Sequence, residues 1–261
     1  TRRPRARCIL ATVRRRVGPG EGRRTRGGPA GTVKLAGRGG STQLATPPRP
    51  GSTMPRLAPS APHSPSAPAP TGLSIPAADG YLLHARLWGR PGEASPRRVA
   101  LVNAGAGIVC AYYERFAAWL AASGTPTLVY DYRGIGGSRP PTLRGFDATV
   151  EDWGRLDCSG ALAWLETRYP AAERLVVGHS VGGFVTGLST VGARIDRLLL
   201  VGAHSGFYGD YASRARPWMY VPWHVLMPAL TRVVGYFPGR RLGLLEDLPR
   251  GAALQWAGRR H

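Results

Sequence analysis

From about residue 73 onward, apolar residues follow two alternating patterns that predict strands and helices in turn. The apolar runs Leu73–Ile75 and Tyr81–Trp88 are joined across Asp79-Gly80, which favours an antiparallel opening hairpin. Later runs rich in Val and Leu predict four buried strands, at Arg98–Asn103, Thr127–Tyr132, Arg174–Gly178 and Arg197–Gly202. Strands that alternate with helices predict an α/β fold, with a mostly parallel, doubly wound sheet covered by helices on both faces.

The helical segments between these strands carry their own signals. After the strand ending at Asn103, the spacing of Tyr112, Phe116 and Leu120 predicts one buried helical stripe that ends near Gly124. A second helix should begin near Thr149, whose side chain can form a capping box with Asp152, and end at Tyr169-Pro170. Its inward residues are predicted to be Trp153, Leu156, Trp164 and Leu165.

Residues of about 207–258 are aromatic and interrupted by prolines, which predicts a helical cap over a pocket. We expect Trp218, Tyr220, Trp223 and Trp256 to form the apolar core of this cap, with contact to an apolar substrate as the alternative.

The first 72 residues differ in composition from the rest. They hold 14 Lys and Arg, one acid and 12 of the 24 prolines, without a sustained apolar period. Such a segment cannot bury enough apolar surface to offset its ordering entropy. We therefore expect a disordered basic extension over 1–72 and a folded domain over 73–261. Because the first methionine is Met54, translation is predicted to start at or near that residue.

Charge and cysteine content narrow the classes of function. The chain has a formal net charge of +20, and its Arg clusters would attract phosphates without sequence preference. They lack interleaved aromatics and any recognition pattern, so nucleic acid is not the predicted partner. Cys8, Cys110 and Cys158 form no Cys-x-x-Cys pair and no ligand cluster with histidine in the sequence. Reduced cysteines and the lack of a membrane-span pattern predict a cytoplasmic protein.

The most informative motif is Gly-His-Ser-Val-Gly at residues 178–182, which Gly183 extends. It follows a predicted strand and precedes a predicted helix, so Ser180 should lie on a sharp, strained turn. Gly178 and Gly182 would let neighbouring elements approach without a Cβ clash. The Ser180 hydroxyl would then stand at the carboxyl edge of the sheet, beside the positive end of the next helix.

Two further clusters accompany this turn. Residues 131–138 read Asp-Tyr-Arg-Gly-Ile-Gly-Gly-Ser after one strand, and residues 103–107 read Asn-Ala-Gly-Ala-Gly after another. Together with the Ser180 turn and the element order, they resemble the α/β-hydrolase superfamily over residues 73–258. The residues of these motifs are similar to those of a subgroup of uncharacterised bacterial hydrolases. That subgroup is placed near serine aminopeptidases and monoacylglycerol lipases.

The resemblance implies hydrolysis of an ester, thioester or amide through an acyl-Ser180 intermediate, with a small-molecule acyl or ester substrate. It implies an oxyanion hole made by the backbone N–H groups of Val181 and Gly105, with Ala104 as the alternative to Gly105. The other interpretation of residues 103–107 is a Gly-rich turn without a catalytic role. Asp131 and Arg133 would brace nearby loops. No metal or organic cofactor is implied, because the serine supplies the nucleophile.

The family's triad order is Ser, acid, His, and the resemblance places the acid and base on strands that follow the cap. On that basis we expect the chain to be truncated, with a non-catalytic or truncated relative as an alternative function. His204 follows the strand after Ser180 and is the candidate base, with a pocket-lining role as the alternative. Asp210 is a candidate displaced acid.

A dinucleotide-binding Rossmann-like fold is the competing interpretation. Residues 105–110 read Gly-x-Gly-x-x-Cys after a strand, and Asp131 ends the next strand at a suitable distance. The Ser180 turn has no role in that fold, and an opening antiparallel hairpin does not belong to it.

Overall fold

The structure, a computed structural model, describes residues 69–89, 95–204, 213–214 and 216–258. The predicted extension over 1–72 and the suspected start at Met54 therefore lie almost wholly outside the described residues, as does Asp210. All of the described elements belong to one compact unit.

The described strands form one six-stranded sheet in the order β1-β2-β4-β3-β5-β6. The strands are β1 (Thr71–Pro76), β2 (Leu82–Trp88), β3 (Arg98–Asn103), β4 (Thr127–Tyr130), β5 (Glu173–His179) and β6 (Arg197–Val201). β1 pairs antiparallel with β2, and β2 pairs antiparallel with β4. The other three of the five described pairs are parallel, which confirms the predicted mostly parallel sheet with an antiparallel hairpin at its start.

The helices cover both faces of this sheet. They are α1 (Glu114–Ala122), α2 (Val150–Asp152), α3 (Ser159–Arg168), α4 (Val181–Leu188), α5 (Arg216–Tyr220), α6 (Met227–Val234) and α7 (Arg250–Ala257). π-Helical turns at Trp153–Cys158 and Val221–Leu226 connect α2 to α3 and α5 to α6. Consecutive residues of β3 and β4 are buried, and neighbouring side chains of a strand point to opposite faces, so both faces must be covered.

The predicted helix start at Thr149 is confirmed, because Thr149 and Asp152 form a capping box. The predicted stripe on α1 is wrong by one residue. A 3₁₀ turn at Cys110–Tyr113 precedes the helix and rotates it, so the buried positions are Tyr113, Ala117 and Ala121. Tyr112, predicted to face inward, is 70% exposed. Small alanines on the inner face let α1 lie close against the sheet.

The strand order creates a crevice at the carboxyl edge of the sheet. The chain moves from β3 to β4 on one side and then returns to β5 on the other side of β3. Right-handed crossovers in opposite directions place their helices on opposite faces. The loops after β3 and β5 therefore separate, and the space between them is where ligands bind in open α/β sheets.

Among the described helices, none combines the length and apolar character needed to cross a bilayer.

Candidate active site at the carboxyl edge of the sheet

Ser180 lies between the end of β5 and the start of α4, in an unusual backbone conformation. Its φ of 53° and ψ of −120° make it the one non-glycine residue with positive φ in the described part of the chain. Two backbone hydrogen bonds hold the turn: Ser180 N–H donates to Val201 O at 2.9 Å, and Gly183 N–H donates to Ser180 O at 3.1 Å. The predicted strand–turn–helix context of the motif is therefore present.

Close backbone packing explains why glycine is needed on both sides of Ser180. A Cβ at Gly182 would lie 2.1 Å from the carbonyl oxygen of Asn103, so the start of α4 sits directly on the end of β3. A Cβ at Gly178 would lie 2.7 Å from the Cα of Gly183. Both contacts place the first turn of α4, with its unpaired N–H groups, beside the loop that follows β3.

A buried polar network fixes this junction. The fully buried amide of Asn103 donates to Thr186 Oγ1 at 2.8 Å and accepts from the Tyr130 hydroxyl at 2.7 Å. Its Nδ2 also lies 3.2 Å from the sulfur of Cys158. From the sequence, Asn103 is predicted only as the last residue of a strand and the first of a Gly-rich loop, without a hydrogen-bonding role. A polar residue at the end of an otherwise apolar strand was the signal for this role.

The Gly105 N–H, predicted as an oxyanion donor, is already engaged. It donates to the Tyr113 hydroxyl at 2.9 Å, and that hydroxyl lies 2.7 Å from His179 Nδ1. Because the hydroxyl accepts from Gly105, it can donate its own proton to Nδ1, which suits neutral His179 with its proton on Nε2. Burial lowers the pKa of His179 and raises that of Tyr113 to about 12, so both groups are neutral at pH 7.

Two neighbours of Gly105 differ in their hydrogen bonding. Ala104, the predicted alternative, is fully buried, and its carbonyl oxygen accepts from the Tyr132 hydroxyl at 3.0 Å. The Ala106 N–H has no acceptor in the part of the chain that the structure describes. Val181 is the first residue of α4, so its N–H has no partner within the helix.

Asp131 and Arg133 brace the surrounding loops, as the sequence predicted. The Asp131 carboxylate accepts from Cys110 N–H at 2.6 Å and from Gly137 N–H at 2.9 Å. Arg133 contacts Asp157 through Nε at 2.6 Å and Asp79 through both terminal nitrogens at 2.8 Å. Burial raises the pKa of Asp157 to about 6, although its contacts with Arg133 favour the ionised carboxylate.

The histidines of the described chain are not hydrogen-bonded to Ser180 Oγ. His204, the candidate base, is exposed, and its ring packs edge-on against Trp256 with centroids 5.9 Å apart. His179 is held by Tyr113, and His224 Nδ1 lies 2.6 Å from Ala257 O, to which it can donate. The structure thus brings Ser180, Val181 and the 103–107 loop together and leaves His204 against α7.

A segment of the cap at Leu245 and Glu246 contacts the loop after β3. Glu246 N–H donates to Gly107 O at 3.0 Å, and a Cβ at Gly107 would lie 2.6 Å from Leu245 Cδ1. Leu245 also lines an apolar cavity of about 370 Å³, together with Trp223, Met227, Phe237 and Leu242. Of the aromatics predicted to form the cap core, Trp256 is buried, but Trp218 is 81% exposed and Tyr220 is also exposed. The prediction is therefore wrong for those two residues.

One cluster of possible metal ligands was missed in the sequence. His84, Cys110 and Asp131 come from three separate segments, and one ligand atom of each lies within 4.8 Å of the other two. Their separation along the chain concealed this cluster, because β2, the turn before α1 and the loop after β4 meet only in the fold. Burial, with the charge of Asp131 as a second cause, raises the pKa of the Cys110 thiol to about 12.

The sheet order, the crevice and the strained serine define an α/β-hydrolase. Residues 94–232, more than half of the chain, match the family described as serine aminopeptidase, S33, and the chain belongs to that family. This membership and the antiparallel hairpin argue against the Rossmann-like alternative. A comparison with curated proteins finds no match.

Solved structures with a similar fold include three examples at low sequence identity. A hypothetical protein from Pseudomonas aeruginosa is 17% identical, with 67% of this chain and 58% of that chain covered and a TM-score of 0.48. A thermostable carboxyl esterase from Bacillus coagulans is 19% identical, with 64% and 51% covered and a TM-score of 0.40. An esterase from Pyrococcus furiosus is 21% identical, with 45% and 44% covered and a TM-score of 0.37. The chain spans about half the length of these structures.

Proposed function

We propose that this chain carries the nucleophile of a serine hydrolase that cleaves an ester, thioester or amide bond through an acyl-Ser180 intermediate. The observation that carries the proposal is the strained backbone of Ser180 between β5 and α4. A serine rarely adopts positive φ unless the surrounding structure imposes it, and such strain concentrates at functional sites. Membership of the serine aminopeptidase S33 family supports the same chemistry.

In the proposed reaction, a base, for which His204 is the candidate, takes the proton of Ser180 Oγ as Oγ attacks the carbonyl carbon of the substrate. The base passes this proton to the leaving alcohol, thiol or amine as its bond to that carbon breaks. Water then loses a proton to the base and attacks the acyl carbon, the bond from that carbon to Oγ breaks, and the base returns the proton to Oγ. Val181 N–H, at the positive end of α4, would donate to the negative oxygen of the tetrahedral intermediate.

For the second oxyanion donor we propose Ala106 in place of Gly105. The Gly105 N–H is held by the Tyr113 hydroxyl, whereas the Ala106 N–H has no acceptor in the described part of the chain. His204 remains the candidate base from the sequence, and its ring would have to leave Trp256 to reach Oγ.

The apolar cavity within the cap supports a substrate with an apolar acyl or alcohol group. Leu245 joins this cavity to the 103–107 loop, because it lines the cavity and packs on Gly107. A cavity of about 370 Å³ is at the small end of ligand sites, which suits a small-molecule ester. A cytoplasmic location and the absence of a nucleic-acid role stay predictions.

Labelling with a fluorophosphonate probe tests the nucleophile. The wild-type chain should form a covalent adduct that maps to residue 180 by mass spectrometry, and Ser180→Ala should abolish it. Ser123→Ala is the matched control, because Ser123 is an exposed serine at the end of α1 whose hydroxyl bonds only to Trp119 O. Labelling that survives Ser180→Ala would show that the nucleophile is elsewhere. A folded wild-type chain that is never labelled would favour the non-catalytic alternative.

A further inference from the structure

The cluster of His84, Cys110 and Asp131 lies outside the proposed reaction. Each residue belongs to a different segment: β2, the 3₁₀ turn before α1, and the loop after β4. Cys110 and Asp131 are buried, and His84 is half-buried. We propose that these three side chains form a binding site for one divalent cation of borderline softness, such as Zn²⁺.

The types of ligand fit that cation. Cysteine sulfur, histidine nitrogen and carboxylate oxygen are the three kinds of protein ligand that Zn²⁺ takes, whereas Mg²⁺ and Ca²⁺ prefer oxygen alone. Three protein ligands leave a fourth tetrahedral position for water. In the described part of the chain, this is the single group of three such residues whose ligand atoms all lie within 4.8 Å of one another.

The distances require a small closure of the cluster. With bonds of about 2.0–2.3 Å, ligand atoms on one Zn²⁺ lie roughly 3.5 Å apart. The ligand atoms of the cluster lie within 4.8 Å of one another, so closure of about 1 Å at the widest pair is needed. With Asp131 held in place, this closure would come from rotation of the Cys110 and His84 side chains.

Asp131 is held by hydrogen bonds from neighbouring groups, as metal-binding carboxylates usually are. Each of its oxygens accepts one backbone N–H, from Cys110 at 2.6 Å and from Gly137 at 2.9 Å. A carboxylate offers about four lone-pair positions, so these bonds leave room for a cation. Hydrogen bonds of this kind orient the residues that bind a metal, and their loss typically lowers metal affinity about 10–100-fold.

Charges of both signs lie near the cluster. Asp131 carries a negative charge inside the protein, and binding would replace the Cys110 thiol proton with the metal. The basic neighbour on β2 is Arg86, which acts electrostatically on Cys110. Arg86 also lies 4.0 Å from Glu114, and this acid offsets part of its charge.

Cobalt substitution tests the site, because a thiolate bound to Co²⁺ gives a charge-transfer band in the near ultraviolet. The full chain with Cys8→Ser should bind one Co²⁺ with this band, and Zn²⁺ should displace the cobalt. Cys8 is replaced because it is a third thiol outside the described residues. Cys110→Ser should remove the band, whereas Cys158→Ser should retain it, since Cys158 is a buried thiol outside the cluster. His84→Gln should weaken cobalt binding at least about 10-fold.

Thermal unfolding gives a second measurement that does not depend on the absorption band. Zn²⁺ at saturating concentration should raise the Tm by a few degrees in the Cys8→Ser chain and not in its Cys110→Ser derivative. Circular dichroism without metal verifies that each variant folds, and Cys110→Ala replaces Cys110→Ser if the latter does not. A band that survives loss of Cys110, or no band and no stabilisation in the parent chain, would overturn the proposal. Ser180→Ala should leave both signals unchanged, so this test stands apart from fluorophosphonate labelling.

Discussion

Ser180 holds a backbone conformation that its own Cβ opposes. The region around φ 53° and ψ −120° suits glycine, and a residue with a side chain loses about 1–3 kcal/mol there. The conformation persists because the Ser180 N–H bonds to Val201 O and the neighbouring glycines pack without side chains. The strained turn therefore lowers the stability of the protein, and the same turn carries the Ser180 hydroxyl group.

Two substitutions at this residue separate the strain from the hydroxyl. Both Ser180→Ala and Ser180→Gly remove Oγ, but only glycine also removes Cβ and relieves the positive φ. Glycine costs roughly 0.5–1 kcal/mol in chain entropy. We therefore expect Ser180→Gly to be more stable than Ser180→Ala by about 1–2 kcal/mol in urea unfolding. Equal or reversed stabilities would mean that the turn is not strained.

The hydrogen-bond partner of the Gly105 N–H depends on the residues that pack around it. The place of Gly105 after β3 predicts an oxyanion donor near the Ser180 turn, but the motif gives no sign of the Tyr113 hydroxyl eight residues later, to which the Gly105 N–H donates. The 3₁₀ turn rotates Tyr113 inward, and the helical period had assigned the inner position to Tyr112. A residue's hydrogen-bond partner is set by geometry that a periodic pattern does not contain.

At the scale of elements, α4 is positioned by contact between backbones. Gly182 lets the first turn of the helix lie on the carbonyl group of Asn103 at the end of β3. Thr186, one turn later, accepts the Asn103 amide and donates to Gly182 O at 2.7 Å. These contacts hold the loop after β3 against the helix that begins at Val181.

Two glycines of α4 form a matched test of this packing. Gly182→Ala places a Cβ 2.1 Å from a backbone oxygen, so we expect a loss of more than about 2 kcal/mol in the free energy of unfolding. Gly187 is exposed on the same helix, and a Cβ there would have nothing within 4 Å. Gly187→Ala should stabilise the protein by up to about 1 kcal/mol. Denaturant unfolding of both variants measures the difference, and similar values would contradict the close contact.

At the scale of the whole molecule, stability should depend on pH through His179. Burial lowers the pKa of this histidine in the folded state below its ordinary value of 6.5. The unfolded chain therefore binds the proton more readily as the pH falls. The stability that neutral His179 contributes is complete above about pH 6.5 and is lost as the pH falls through the lower folded-state pKa.

Urea unfolding of the wild type and His179→Gln between pH 5.5 and 7.5 measures this contribution. Subtracting the two free energies of unfolding cancels the other titrating groups. We expect the advantage of the wild type to shrink towards pH 5.5, because the proton disrupts the bond from Tyr113 to Nδ1. An advantage that is constant, or that grows on acidification, would show that burial does not control this histidine.

The sequence by itself determined the order of strands and helices, the start of the helix at Thr149 and the serine turn at residues 178–182. These features depend on local patterns: alternating apolar residues, a capping pair, and glycines where the backbone must turn sharply. Patterns of this kind lie within a short stretch of sequence. The fold class and the sharp turn at Ser180 could therefore be predicted.

Only the tertiary structure decided which distant groups share an environment. In the fold, the Gly105 N–H donates to the Tyr113 hydroxyl and His204 packs against Trp256. Cys110 lies near His84 and Asp131. Each of these pairings joins different segments, so it depends on how strands are ordered and helices rotated rather than on any local pattern. Packing fixes those angles and distances, and the turn before α1 directs Tyr113, rather than Tyr112, to the loop after β3.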